Sequence, residues 1–220
     1  MKRPLRGEIT LRGDKSLSHR ALMFAALAQG KSRVRNLSLG ADVAATAAVL
    51  GKLGVPITIR NGIATIDGHG LSAFRQPAAE LYCANSGTTL RLMLGILAGS
   101  QLHCELTGDN SLSRRPVRRV TAPLLLMGAD IQTRSDDDRP PVRVAGRKLH
   151  GIDYTSPIAS AQVKSAVLLA ALAAEGSTTY TEPELSRDHT ERWLQHAGAA
   201  IIRSDMRTAL VPPVTLTAFE

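Results

Sequence analysis

The sequence predicts a mixed α/β (α+β) fold: a single domain over residues 1–220, assembled from a helix–strand–helix–strand–strand unit that recurs about every 70 residues. Three observations predict it. Three apolar helical segments end alike, at Gly30, Gly99 and Gly176. A second set of helices ends alike as well, at Gly54, Gly128 and Gly198. A β-prone pair of strands follows each member of the second set.

The units fall near residues 14–72, 85–150 and 159–217. In each, the first helix opens on a polar cluster, runs through apolar residues and is expected to close on its glycine as a C-cap. The second helices end Lys52-Leu-Gly54, Leu126-Met-Gly128 and His196-Ala-Gly198. The first strand of each pair is then Ile57–Arg60, Asp130–Thr133 and Ala200–Arg203, and the second is Ile63–Ile66, Val142–Val144 and Ala209–Val211. Asn61-Gly62 is a two-residue hairpin signal. Pro123 lies inside the second helix of unit two, where it should kink or shorten that helix.

Composition bounds the function. Hydrophobic residues make up 44% and charged residues 21%, enough for a proper core, but aromatics are only 3%, so that core rests on Ala, Leu, Val and Ile. The net charge of +8 favours anionic partners. Scattered basic residues and scarce stacking groups argue against nucleic acid. Cys83 and Cys104 lack metal-ligand spacing and read as buried thiols in a reducing cytoplasm. Met1–Glu8 is charged and has no apolar export core. The longest apolar run, Ala166–Ala174, falls short of the roughly 20 residues a membrane helix needs.

The chemistry concentrates where the first helices begin. Unit one has Gly13-Asp-Lys15-Ser16-Leu-Ser-His19-Arg20, unit two Asn85-Ser-Gly87-Thr88-Thr-Leu-Arg91, and unit three Ser160-Ala161-Gln162-Val-Lys-Ser165. N-capping explains one hydroxyl per helix. The remaining polar groups fit anion binding, because a helix N-terminus offers free N–H groups and partial positive charge. Lys15 and Arg20 add full charges, and Ser16 and Arg20 share a face at i, i+4. Arg114-Arg115-Pro116 adds a second anion clamp, with Pro116 expected at a helix start. Ser186-Arg187-Asp-His189 lies at the matching place in unit three. No P-loop and no Gly-x-Gly-x-x-Gly occurs, and His19 and His189 have no partner at metal spacing; His19 reads as a packing or supporting group rather than a base.

These motifs resemble, in order and across essentially the whole chain, the N-terminal half of the EPSP synthases. The enolpyruvyl transferase acting on UDP-N-acetylglucosamine shares the fold and is the alternative; its lysine motif differs from the one seen here. The resemblance implies one domain of the enolpyruvyl transferase fold, with helix N-termini facing an interdomain cleft. It implies transfer of the carboxyvinyl group of phosphoenolpyruvate to the 5-hydroxyl of shikimate 3-phosphate, releasing phosphate, with no metal or organic cofactor. By resemblance Lys15 is catalytic and touches both substrates. Ser16, Arg20, Ser160, Ala161, Gln162, Ser186 and Arg187 would hold shikimate 3-phosphate. Asn85, Gly87, Thr88, Arg115 and Gln162 would hold phosphoenolpyruvate, or glyphosate in its place. A second domain or polypeptide is expected to complete the site, leaving this chain inactive alone. Three positions depart from the family: Arg12 stands where many members have Pro, Ala161 where Ser is common, and His189 where some have Tyr.

Overall fold

The computed structural model describes residues 6–9, 11–134 and 137–220. Residues 1–5 of the charged N-terminal stretch, together with residues 10, 135 and 136, lie outside the described residues.

Unit one consists of α1 (Lys15–Leu27), β1 (Gln29–Val34), α2 (Ala41–Lys52), β2 (Ile57–Arg60) and β3 (Ile63–His69). Unit two consists of β4 (Leu81–Tyr82), α3 (Gly87–Ala98), β5 (His103–Thr107), α4 (Arg118–Leu126), β6 (Asp130–Thr133) and β7 (Val142–Ala145). After β8 (Leu149–His150), unit three consists of β9 (Asp153–Thr155), α5 (Ala161–Ala171), β10 (Ala174–Glu175), β11 (Thr178–Thr181), α6 (His189–His196), β12 (Ile201–Ser204) and β13 (Arg207–Leu210).

The three sheets repeat one plan. Their strand orders are β1-β3-β2, β4-β5-β7-β6 and β9-β11-β13-β12. In each, the last strand of the unit is antiparallel to both of its neighbours. In units two and three a short leading strand runs parallel to the next one, β4 beside β5 and β9 beside β11. Unit one fills this place from the far end of the chain. Residues 216–219 run beside β1, through a parallel bridge from Gln29 to Thr217 and bonds from Gln29 N to Leu216 O (2.8 Å) and Arg33 N to Phe219 O (3.0 Å). The sequence did not reveal these short strands, nor the parallel pair of β8 with β10.

The glycines need sorting. Gly54, Gly128 and Gly198 have φ of 86°, 90° and 93° and follow the ends of α2, α4 and α6, as expected of helix-terminating residues. Of the other set, only Gly99 directly follows its helix. Gly30 is the second residue of β1, and Gly176 follows β10, so neither is the C-cap expected. Asn61 and Gly62 both take positive φ in the β2–β3 turn, as a type I′ hairpin requires. Pro116 does not open a helix: α4 begins at Arg118, and it passes through Pro123 in nine residues against twelve in α2.

Beyond their first turns, α1, α3 and α5 are buried all round. Such helices are central rods rather than amphipathic covers. α3 and α5 approach closely at Gly95, where an added Cβ would lie 2.3 Å from the Ala166 carbonyl oxygen. Packing these rods side by side brings their starts to one region. No helix among the described residues is long and apolar enough to cross a membrane.

Candidate anion site at the converging helix starts

Each central helix is capped in the same way. Asp14, Ser86 and Ser160 accept from the backbone N–H of the third helical residue: Leu17 (2.8 Å), Thr89 (3.1 Å) and Val163 (3.4 Å). Asp14 brings a carboxylate to the start of α1, whereas α3 and α5 have no acidic side chain at the cap or in the first turn, so their positive ends are not neutralised there. The second residue of each helix is polar: Ser16, Thr88 and Gln162. Just before α1, Gly13 is required sterically, since a Cβ would sit 1.8 Å from the Asn36 carbonyl oxygen.

Side chains tie the three starts together. Between α3 and α5, Gln162 donates from Nε2 to Thr88 Oγ1 at 3.1 Å. Its Oε1 accepts from Arg91 Nη1 (3.2 Å) and Arg119 Nη2 (3.3 Å). Between α1 and α5, the buried Arg20 donates from Nη2 to Ser165 Oγ at 2.7 Å. It also donates from Nε to Thr190 Oγ1 (2.8 Å) in α6 and from Nη1 to Ser16 O (3.0 Å). Between α1 and α3, His19 Nδ1 meets Thr46 Oγ1 at 2.6 Å, Thr46 meets Thr89 Oγ1 at 2.7 Å, and Thr89 donates to the Ser86 cap at 2.7 Å. Burial lowers the His19 pKa to about 4, so this imidazole is neutral at pH 7 and serves as a hydrogen-bonding strut.

The expected residues group as follows. Lys15 is exposed at the start of α1, with its ammonium 2.8 Å from Asp42 Oδ2 of α2. Arg187 is exposed and reaches Ser16 Oγ from 3.5 Å. Asn85 is exposed and accepts from Arg115 through its side-chain oxygen. Gly87 is buried, and a Cβ there would lie 2.6 Å from Arg91 Nη1 and 3.6 Å from Arg115 Nη1. Ser160 is occupied as the cap of α5, and Ala161 is that helix's first residue and brings no polar side-chain group. Ser186 is partly buried and donates to Glu182 Oε2 at 2.5 Å. His189, the first residue of α6, has a buried Nδ1 with no partner among the described residues.

Two residues outside the expected set belong with them. Arg91 is buried, with its Nη1 on Gly87 O (3.4 Å) and its Nη2 on Pro116 O (3.3 Å). Burial lowers its pKa to about 10, and the nearby Arg119 and Arg115 add to the shift. Among the described residues none of these three arginines is ion-paired with a carboxylate. Like charges gathered without counterions are unfavourable until an anion joins them. A charge inside the apolar run Leu90-Arg91-Leu92 was the available sequence signal; Arg119 had none.

A depression of about 710 Å³ lies to one side, lined by Leu11, Leu17, Trp193 and Phe219 among others, and it holds none of the three arginines. The arginine cluster sits instead on an open face, with Arg119, Lys15, Asn85 and Arg187 exposed around it. Cys83 and Cys104 are free and buried, and burial pushes their thiol pKa up to about 12 and about 11. No cluster able to hold a metal occurs among the described residues.

Three βαβαββ-type units with converging helix starts define one domain of the enolpyruvyl transferase fold, and solved structures agree. The "EPSP synthase from Acinetobacter baumannii" superposes with a TM-score of 0.94 at 45% identity, over 97% of this chain and 49% of that one. The sequence matches the family described as EPSP synthase (3-phosphoshikimate 1-carboxyvinyltransferase) over residues 1–218, and the chain belongs to that family. Relatives named 3-phosphoshikimate 1-carboxyvinyltransferase include those of Bacillus velezensis (53% identical over 91% of this chain and 47% of the relative) and Bacillus subtilis (49% identical over 98% and 50%). The chain spans about half the length of the curated relatives it matches.

Proposed function

We propose that this chain forms the shikimate 3-phosphate-binding wall, and part of the phosphoenolpyruvate-binding wall, of a 3-phosphoshikimate 1-carboxyvinyltransferase. The observation that carries this is the gathering of Arg91, Arg115 and Arg119 around Gln162 and Gly87, without carboxylates, where α3 and α5 begin. Phosphoenolpyruvate carries a phosphate and a carboxylate, and arginine pairs with either in a bidentate manner. Gly87, having no side chain, lets such a ligand lie close to the start of α3.

Shikimate 3-phosphate fits the seam between α1 and α5. Ser16, Ser160, Gln162 and Arg187 are assigned as donors there, Ser186 joins them once its hydroxyl leaves Glu182, and Arg20 ties α1, α5 and α6 together. Lys15 stands between the two regions. Its exposed ammonium, 2.8 Å from Asp42 Oδ2, is assigned the proton transfer toward the substrates. The transfer joins the carboxyvinyl carbon of phosphoenolpyruvate to the 5-hydroxyl oxygen of shikimate 3-phosphate and releases inorganic phosphate. Because the face is open, the remaining contacts and water exclusion come from an opposing domain or polypeptide, and the described residues bind without turning over. The relatives and the family match favour this over a UDP-N-acetylglucosamine enzyme.

Calorimetry with shikimate 3-phosphate, followed by a phosphate-release assay with both substrates, tests the reading. Binding without release is expected. An absence of binding would remove the site assignment, and release by this chain alone would remove the one-wall assignment. Nucleic-acid binding would show instead as a steep salt dependence with no preference for shikimate 3-phosphate.

A further inference from the structure

Behind the Ser186 loop lies a buried ionic cluster with no part in the proposal above. Lys164 of α5 is 2% exposed, and its Nζ lies 2.6 Å from Glu182 Oε1 and 2.7 Å from Glu191 Oε1. Both carboxylates are buried as well, at 3% and 1% side-chain exposure. Buried charges persist only when paired closely; Lys164 donates a hydrogen bond that fixes Glu182, and it lies beside Glu191, whose oxygens accept no hydrogen bond among the described residues.

The two oxygens of Glu182 are divided. Oε1 faces Lys164, and Oε2 accepts the Ser186 hydroxyl proton at 2.5 Å. A serine hydroxyl has one proton to donate. While that proton points at Glu182, it is not offered to a phosphate. Ser186 is only partly buried, whereas Glu182 is buried and held by Lys164.

We propose that Glu182 is a positioning residue that withdraws the Ser186 hydroxyl, so that an incoming phosphate ester must compete with a carboxylate for the proton. The inference rests on the reading that Ser186 belongs to the shikimate 3-phosphate site. It makes Ser186 a conditional donor, supplied to a dianionic phosphate and withheld from weaker acceptors. Selectivity for the phosphorylated ligand follows from that competition.

Glu182→Gln tests it with a sign that a purely structural role does not produce. The amide oxygen still accepts from Lys164, and the amide N–H now donates to Ser186 Oγ, which frees the hydroxyl proton. Calorimetric titration of the 220-residue chain with shikimate 3-phosphate should show about tenfold tighter binding in Glu182→Gln. The gain should fall below about twofold in the Ser186→Ala background. Equal or weaker binding in Glu182→Gln overturns the inference. So does a gain that survives Ser186→Ala, which would be a general charge effect. A solved complex of the unaltered chain is an independent check that needs no variant. Ser186 Oγ is expected beyond hydrogen-bond distance of Glu182 and on the phosphate, and a retained Glu182 contact overturns the inference. If the unaltered chain fails to bind shikimate 3-phosphate, the site reading falls and this inference falls with it.

Discussion

An alanine at Gly87 would place its methyl carbon 2.6 Å from Arg91 Nη1, a guanidinium already held by Gly87 O, Pro116 O and Gln162. Arg91 Nη1, which also reaches Gln162, must therefore shift. Gly87→Ala is expected to weaken phosphoenolpyruvate, and glyphosate with it, by about tenfold or more, leaving shikimate 3-phosphate within about twofold. Equal losses for both ligands in parallel titrations would place Gly87 outside a phosphoenolpyruvate subsite. His19 makes a prediction about pH. Its folded pKa of about 4 lies below the ordinary imidazole value of 6.5, so the unfolded chain takes up the proton first. His19 thus leaves stability intact above about pH 6.5 and reduces it as pH falls toward 4, by on the order of 3 kcal/mol. Urea unfolding at pH 7.5 and 4.5 should show a smaller acid loss in His19→Gln than in the unaltered chain; identical losses would mean that His19 is not the group responsible. At this scale the sequence singled out Lys15, Ser16 and Gly87, which sit where polar clusters meet apolar runs. It gave no sign of the contacts of Arg119 and Glu182, whose partners Gln162 and Lys164 come from other elements and are set only by packing.

Among the elements, α3 and α5 determine whether the site exists. Their close crossing depends on Gly95, where any Cβ meets the Ala166 backbone of α5 rather than a yielding side chain. Gly95→Ala should cost about 1–3 kcal/mol and lower the melting temperature by several degrees. A calorimetric scan showing an unchanged midpoint would mean that the helices are not so closely apposed. The central helices and the paired outer strands were legible because each spans enough residues to show a period. The leading strands β4 and β9 were not, being two and three residues long, too short for alternation to register. Gly30 and Gly176 misled for a related reason. Each lies at or near a chain reversal that needs positive φ, which resembles a helix end in sequence while belonging to a strand or a strand connection.

For the whole molecule, approximate threefold repetition is the organising fact, and residues 216–219 complete it by standing beside β1 where β4 and β9 stand in the other units. Phe219 anchors this segment against Trp193, with ring centroids 4.6 Å apart. The repeat itself was readable from glycine spacing, but its closure was not, since nothing local marks residues 216–219 as the partner of β1. Closure arranges three helix starts around one face, and the proposed function needs them to act together. The most direct measurement is an amide nitrogen–proton NMR titration of the chain with shikimate 3-phosphate. The expected result is saturable, simultaneous shifts at Ser16 and Gln162, passed on to Thr88 through its bond from Gln162, with the outer faces of the sheets unmoved. Shifts confined to a single helix start, or centred on the outer sheet residues, would contradict a shared anion site.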